Sequence, residues 1–165
     1  MGATVRSPDL EAVQADLEAF LASRRSLVLG TRGEDGQVEL SVAPFVPHGD
    51  GLAVFLSDLA PHTANLRRYP SAEVLLLEDE ADASQPFART RVSLSCNVRP
   101  LERDDEPEGA VLEAMEAAFG GIVPLLRGLP DFHLFILEPL VGRYVAGFGR
   151  AYRLEGQRVV EHLGR

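Results

Sequence analysis

Over residues 9–25 the apolar side chains Leu10, Val13, Leu17, Phe20 and Leu21 recur at steps of three and four, which predicts an amphipathic helix. Ser7 suits its cap and Pro8 its first turn, where no amide donor is needed, while Arg24 and Arg25 complement the dipole at the far end. From residue 26 the period shortens. Segments 26–31, 38–46 and 52–57 are rich in Val, Leu and Phe and are separated by Gly33-Glu34-Asp35-Gly36 and His48-Gly49-Asp50-Gly51, the pattern of a β-meander. A short helix from Pro61 to the Tyr69-Pro70 stop interrupts it, and segments 72–77 and 89–98 read as further strands. In the second, Val92, Leu94 and Cys96 alternate with Arg91, Ser93 and Ser95, so one face is buried.

Residues 108–119 are again helical in pattern, and Gly120-Gly121 separates them from a short apolar segment, 122–126. Segments 132–137 and 142–147 are expected to be two strands meeting at a Glu138-Pro139 turn, with 151–154 continuing beyond Gly147-Phe148-Gly149. Six or seven strands with helices at the ends and crossings predict a mostly β, α+β fold built on a closed antiparallel barrel. One domain is expected over 1–165, with an N-terminal helix (1–25), a barrel with inserted helices (26–155) and a C-terminal tail (156–165). Ala12, Val13, Leu112 and Met115 are expected in core or dimer contacts.

Composition changes this picture little. With 165 residues, 45% hydrophobic and 25% charged, the chain is long enough to bury a core without staples. The single cysteine, Cys96, has no intramolecular partner, no run reaches the ~18 apolar residues of a membrane span, and no secretory leader is seen, so a cytoplasmic location is expected. A net charge of -9 disfavours nucleic acid as a partner, because such binding needs cations to neutralise phosphates. The acidic runs 78–82 and 102–108 read as solvated loops.

The chain lacks paired zinc-ligand spacings, a P-loop and a nucleophile elbow, and Gly147-Phe148-Gly149 lacks the third glycine of a dinucleotide fingerprint. The most informative stretch is Leu56-Ser57-Asp58-Leu59-Ala60-Pro61-His62-Thr63-Ala64-Asn65-Leu66, where a strand feeds a short helix. The helix amides, with Ser57, Thr63 and His62, form a candidate anion site. The plain alternative is that Ser57 or Asp58 caps the helix and His62 is a surface residue.

That stretch, together with residues 26–31, Ser41-Val42-Ala43-Pro44-Phe45, Phe87-Ala88-Arg89-Thr90-Arg91-Val92, Asp131-Phe132-His133-Leu134-Phe135 and Gly147-Phe148-Gly149-Arg150-Ala151-Tyr152, resembles in order and spacing the haem-utilisation (HugZ/HutZ-type) proteins. These are a branch of the pyridoxamine 5'-phosphate oxidase-like, FMN-binding split barrels. The resemblance covers nearly the whole chain and implies a homodimer with a cofactor, FMN or haem, at the subunit interface, serving redox chemistry. It places flavin contacts on Ser41, Val42 and Ala43, on Ser57, His62, Thr63 and Asn65, and on Arg89 or Arg91, whose planar forks suit phosphate. The alternative for the two arginines is a surface pairing with the acidic run 78–82.

In the haem-degrading branch, an acidic residue at the Asp131 position faces an axial histidine in the partner's tail, an arrangement that would fix and activate the ligand. Here Asp131 is present. The tail departs from the pattern: it ends at Arg165, and His162, the remaining candidate iron ligand, comes several residues early. His133 reads as packed and hydrogen-bonded, His48 as turn surface. Phe148 and Tyr152 are candidates for lining a flat cofactor, and equally for core packing. The resemblance thus implies haem degradation with iron release if haem is bound. An FMN-dependent oxidoreductase acting on a small molecule and a non-catalytic cofactor-binding or regulatory module are the alternatives.

Overall fold

A computed structural model describes residues 8–164 of the chain. Helix α1 runs over Leu10–Ser23 and turns Val13, Leu17 and Leu21 into the core, while Ala12 faces solvent. Its cap is Asp9, whose carboxylate accepts from the amides of Glu11 at 3.0 Å and Ala12 at 3.4 Å, a contact worth about 1 kcal/mol. The expected Ser7 cap lies outside the described residues. Arg24 and Arg25 are not in the last turn as expected. Arg24 already has extended backbone, and its guanidinium reaches the Leu77 carbonyl at 2.9 Å, tying the end of α1 to the sheet.

Among the described residues eight strands form one antiparallel sheet: β1 (Ser26–Arg32), β2 (Val38–His48), β3 (Gly51–Ser57), β4 (Ser71–Leu77), β5 (Arg91–Leu101), β6 (Phe132–Gly147), β7 (Arg150–Glu155) and β8 (Arg158–His162). The order is β3-β2-β1-β4-β5-β6-β7-β8, and β3 also pairs with β6, from Leu52 opposite Leu137 to Ser57 opposite Phe132. That pairing closes the first six strands into a barrel. The closed antiparallel barrel expected from the strand pattern is observed, in the split-barrel form that the resemblance implies. Among the described residues no helix is long and apolar enough to cross a membrane.

Two expectations are corrected. Glu138-Pro139 is not a turn: β6 runs through it for 16 residues, and the register against β5 shifts between Ser95 and Cys96 instead. A proline has no amide to give to a ladder, so an irregularity at this point accommodates it without ending the strand. Three residues further, Gly142 is required because a Cβ there would collide with the Ser93 carbonyl oxygen across the pair. The second correction is β8, which occupies much of what was read as a tail. Strand β8 is short, but helix α1 stitches it down: the Gln14 side chain accepts from the Val159 amide at 2.7 Å and donates to the Gln157 carbonyl at 3.2 Å.

The barrel interior is filled by alternate residues of every strand, including Leu27 and Leu29, Leu52 and Val54, and Phe135 and Leu137. The opposite faces of β3 and β6 are also covered. There Ala53, Leu134 and Ile136 pack under α3 (Glu108–Phe119) and α4 (Ile122–Arg127), with Leu112 and Met115 as expected core. Burial on both faces explains why β3 reads as a nearly continuous apolar run. Helix α2 (Pro61–Arg68) packs on β1, β2 and β3 and carries the candidate site.

Candidate cofactor site

The site begins where β3 ends. The Ser57 carbonyl accepts from the Ala60 amide at 3.2 Å and from the Thr63 hydroxyl at 2.6 Å, so the turn before α2 is fixed from inside the helix. Neither Ser57 nor Asp58 caps α2. Ala60 holds that position without a side-chain bond, Pro61 follows it, and Arg67 and Arg68 lie in the last turn where the dipole favours cations. The Ser57 hydroxyl instead accepts from the Leu59 amide and donates to the Asp131 carboxylate, both at 3.1 Å. Asp131 also receives the Asp58 amide on its backbone carbonyl at 2.8 Å, which welds the end of β3 to the start of β6.

The inward face of α2 buries three polar residues, His62, Thr63 and Asn65, beside Leu66. His62 stands 2.8 Å, through Nδ1, from the Ser41 hydroxyl of β2, and burial holds its pKa below the usual imidazole value because the charged ring is desolvated. Asn65 donates to the buried Thr31 hydroxyl at 3.1 Å, and Thr63 is 0% exposed. His62 is therefore a wall of the barrel end and not the surface residue of the plain alternative. On β2, Ala43 is buried, whereas Val42 faces outward and is 65% exposed.

Arg89 and Arg91 are half-buried and lie at the entry to β5. The Arg89 side chain donates to the Glu78 carbonyl at 2.7 Å and Arg91 donates to the Arg89 carbonyl at 2.9 Å. The acidic run thus meets Arg89 through a backbone oxygen, while the Glu78 carboxylate takes the Thr90 amide at 2.8 Å. His162 ends β8 with its ring 5.1 Å from that of Tyr152 and Nε2 3.1 Å from the Gly149 carbonyl. Tyr152 is buried in the core, and Phe148, on the hairpin beside it, is 77% exposed.

The structure therefore brings together Ser41 with His62, Ser57 with Thr63 and Asp131, and Arg89 with Arg91. Two participants escaped the sequence reading. Thr31 was signalled by parity, since it shares the inward side of β1 with Leu27 and Leu29 and a hydroxyl there needs a partner. Asp58, which stands 2.8 Å from His133 Nε2, carried no such signal, because a loop carboxylate has no period to violate. The expectation of a hydrogen-bonded His133 is met by this pair. Among the described residues no group of three or more metal-ligating side chains is assembled.

One family model, described as pyridoxamine 5'-phosphate oxidase, matches residues 13–146, a span that includes the six barrel strands and α2. This chain belongs to the pyridoxamine 5'-phosphate oxidase family. Within the family it lies on the haem-utilisation branch: it is 36% identical to the heme oxygenase HutZ of Vibrio cholerae over 151 residues, 92% of this chain and 86% of that one. The crystal structure of V. cholerae HutZ, there termed a heme storage protein, superposes with a TM-score of 0.73 at 36% identity, covering 80% of this chain and 91% of HutZ. Campylobacter jejuni ChuZ superposes more closely, with a TM-score of 0.87 at 33% identity. It covers 96% of this chain, which in turn spans 65% of ChuZ.

Proposed function

We propose that this family member binds haem in a crevice between two copies of the barrel, and that bound haem is its substrate. The observation that carries the reading is the 36% identity to HutZ, named a heme oxygenase, along 92% of the chain. Asp131 fits the role: Ser57 holds one carboxylate oxygen, and the other makes no hydrogen bond to a described residue and can receive an imidazole N–H. Of the four histidines, His62 is buried, His133 is paired with Asp58 and His48 closes the β2–β3 turn, which leaves His162 as the iron ligand of the proposal. Its Nε2 stands 3.1 Å from the Gly149 carbonyl, a contact that ligation through that nitrogen would replace. When bound, haem supplies the oxygen chemistry, and the chain supplies ligand, carboxylate and a shielded slot.

A second copy is supported by the outer face of β2. Val38 and Leu40, both 74% exposed, and Val42 form an apolar stripe along one strand, an arrangement rare on a surface that stays wet. FMN is the second reading, favoured by the family description. Against it, Thr63 is fully buried, and the hydrogen-bonding atoms of His62 and Asn65 that face the barrel are taken by Ser41 and Thr31. Separate titrations of the purified protein with hemin and FMN, read by absorbance, test the reading. Saturable hemin uptake with weaker or no flavin uptake is expected, and tight flavin binding alone overturns it. His162→Ala is expected to shift the Soret band and weaken hemin binding at least tenfold, as loss of an iron ligand requires.

A further inference from the structure

On the α3 and α4 side of the barrel lies a crevice lined by none of the residues assigned above to FMN or haem. Phe55 of β3 and Phe132 of β6 form part of its wall, edge to face with ring centroids 5.3 Å apart. Three guanidinium groups converge on it in a chain of net charge -9: Arg67 from α2, Arg103 from the turn after β5, and Arg127 from the end of α4.

Each arginine is positioned, and two lack an ionic partner. The Arg67 guanidinium lies over the Phe135 ring, 5.6 Å from its centroid, and its N–H groups donate to no described residue. Arg103 is clamped through one nitrogen to the carbonyls of Arg127 at 3.2 Å and Leu129 at 3.0 Å. Among the described residues no carboxylate lies within 4.0 Å of either, although Glu102 and Glu108 border the crevice. Arg127 approaches Glu108 at 3.7 Å, longer than a hydrogen bond. Glu108 is buried and engaged elsewhere, accepting the Asp104 amide at 3.1 Å. That bond holds Asp104 at φ 72, a left-handed conformation uncommon outside glycine, and so fixes the turn that presents Arg103. The free volume is about 40 Å³, enough for a few water-sized groups at roughly 10–15 Å³ each and far too little for a macrocycle.

We propose that this crevice binds a small oxyanion, a phosphate or the carboxylate of a small acid, between Arg67 and Arg103 with Arg127 as the third cation. Guanidinium forks match such anions bidentately, and the flanking phenylalanines lower the local dielectric so that the pairing is less screened. The site is independent of which cofactor the barrel holds.

The test is a ¹⁵N NMR titration of the full chain with sodium phosphate and, separately, sodium acetate, with sodium chloride at matched ionic strength as reference. Saturating amide shifts at residues 101–103, 127 and 132–134 are expected with at least one of the two anions. Saturation by phosphate alone identifies the phosphate source, and saturation by acetate alone the carboxylate. Arg67→Gln, on the helix surface, is expected to weaken that affinity at least tenfold, and Arg158→Gln, on β8, to leave it unchanged. Arg103→Lys, which keeps the charge and loses the fork, is expected to weaken the affinity as well, and an undiminished affinity there would count against the proposal. Linear, chloride-like shifts with both anions overturn the proposal, as does saturation that survives in the Arg67→Gln, Arg103→Gln double variant.

Discussion

The burial that seats His62 against Ser41 also makes it a reporter of pH. Its folded pKa is lowered from 6.5 by desolvation, so as pH falls below 6.5 the unfolded chain takes up the proton first. The stability associated with the neutral ring is complete above 6.5 and is lost on acidification towards the folded value. Denaturant melts are expected to show that slope in the wild type and to lack it in His62→Asn. Equal slopes for the two proteins would place the ring in solvent. Cys96 behaves oppositely in chemical terms. Buried among apolar side chains and near Glu73, its thiol is pushed up to about 12, so it stays protonated and enclosed at neutral pH. A disulfide reagent is expected to modify it only on unfolding, and rapid labelling of the native protein would contradict that. At this scale the sequence showed which residues carry hydrogen-bonding chemistry, but not their partners. Ser41, His62 and Thr63 were legible as polar positions; that α2 turns His62 and Thr63 inwards, with His62 against Ser41 of β2, depends on long-range packing which no local spacing encodes.

Elements were the most legible scale, and their errors have physical causes. The alternation of Val92, Leu94 and Cys96 marked β5, and the three-and-four spacing marked α1, because each element has one dry face. Strand β6 was split in two because Pro139 is a breaker locally, and only the partner strand's irregular register shows how the ladder absorbs it. Strand β8 was missed because so short a segment owes its order to another element. Its tether is testable: Gln14→Ala leaves the half-buried Val159 amide without its acceptor, a loss of about 1–3 kcal/mol concentrated on this hairpin. Hydrogen exchange is expected to quicken across 158–162 more than in β1. Uniform acceleration, or none, would show that β8 is held by its β7 pairing alone.

For the whole molecule, the closed barrel was legible from strand count and turn spacing, whereas the covered second face of β3 emerges only where α3 and α4 pack on it. The outer face of β2 was not legible either: Val38 and Leu40 read as ordinary strand residues and Val42 as a flavin contact implied by the resemblance, and only the closed barrel shows that all three point away from its core. A charge placed there strikes the proposed subunit contact without touching the interior, so Leu40→Glu is expected to convert a dimer to a monomer in light scattering while preserving the circular dichroism. An unchanged dimer would move the contact to another face. The central claim, that two such barrels enclose a haem, is tested most directly by size-exclusion chromatography of the hemin-titrated protein with Soret absorbance and light scattering recorded together. The account predicts a saturating Soret band that elutes with a particle of twice the chain's mass. Hemin that fails to saturate, or a Soret band carried by a single chain, would contradict it.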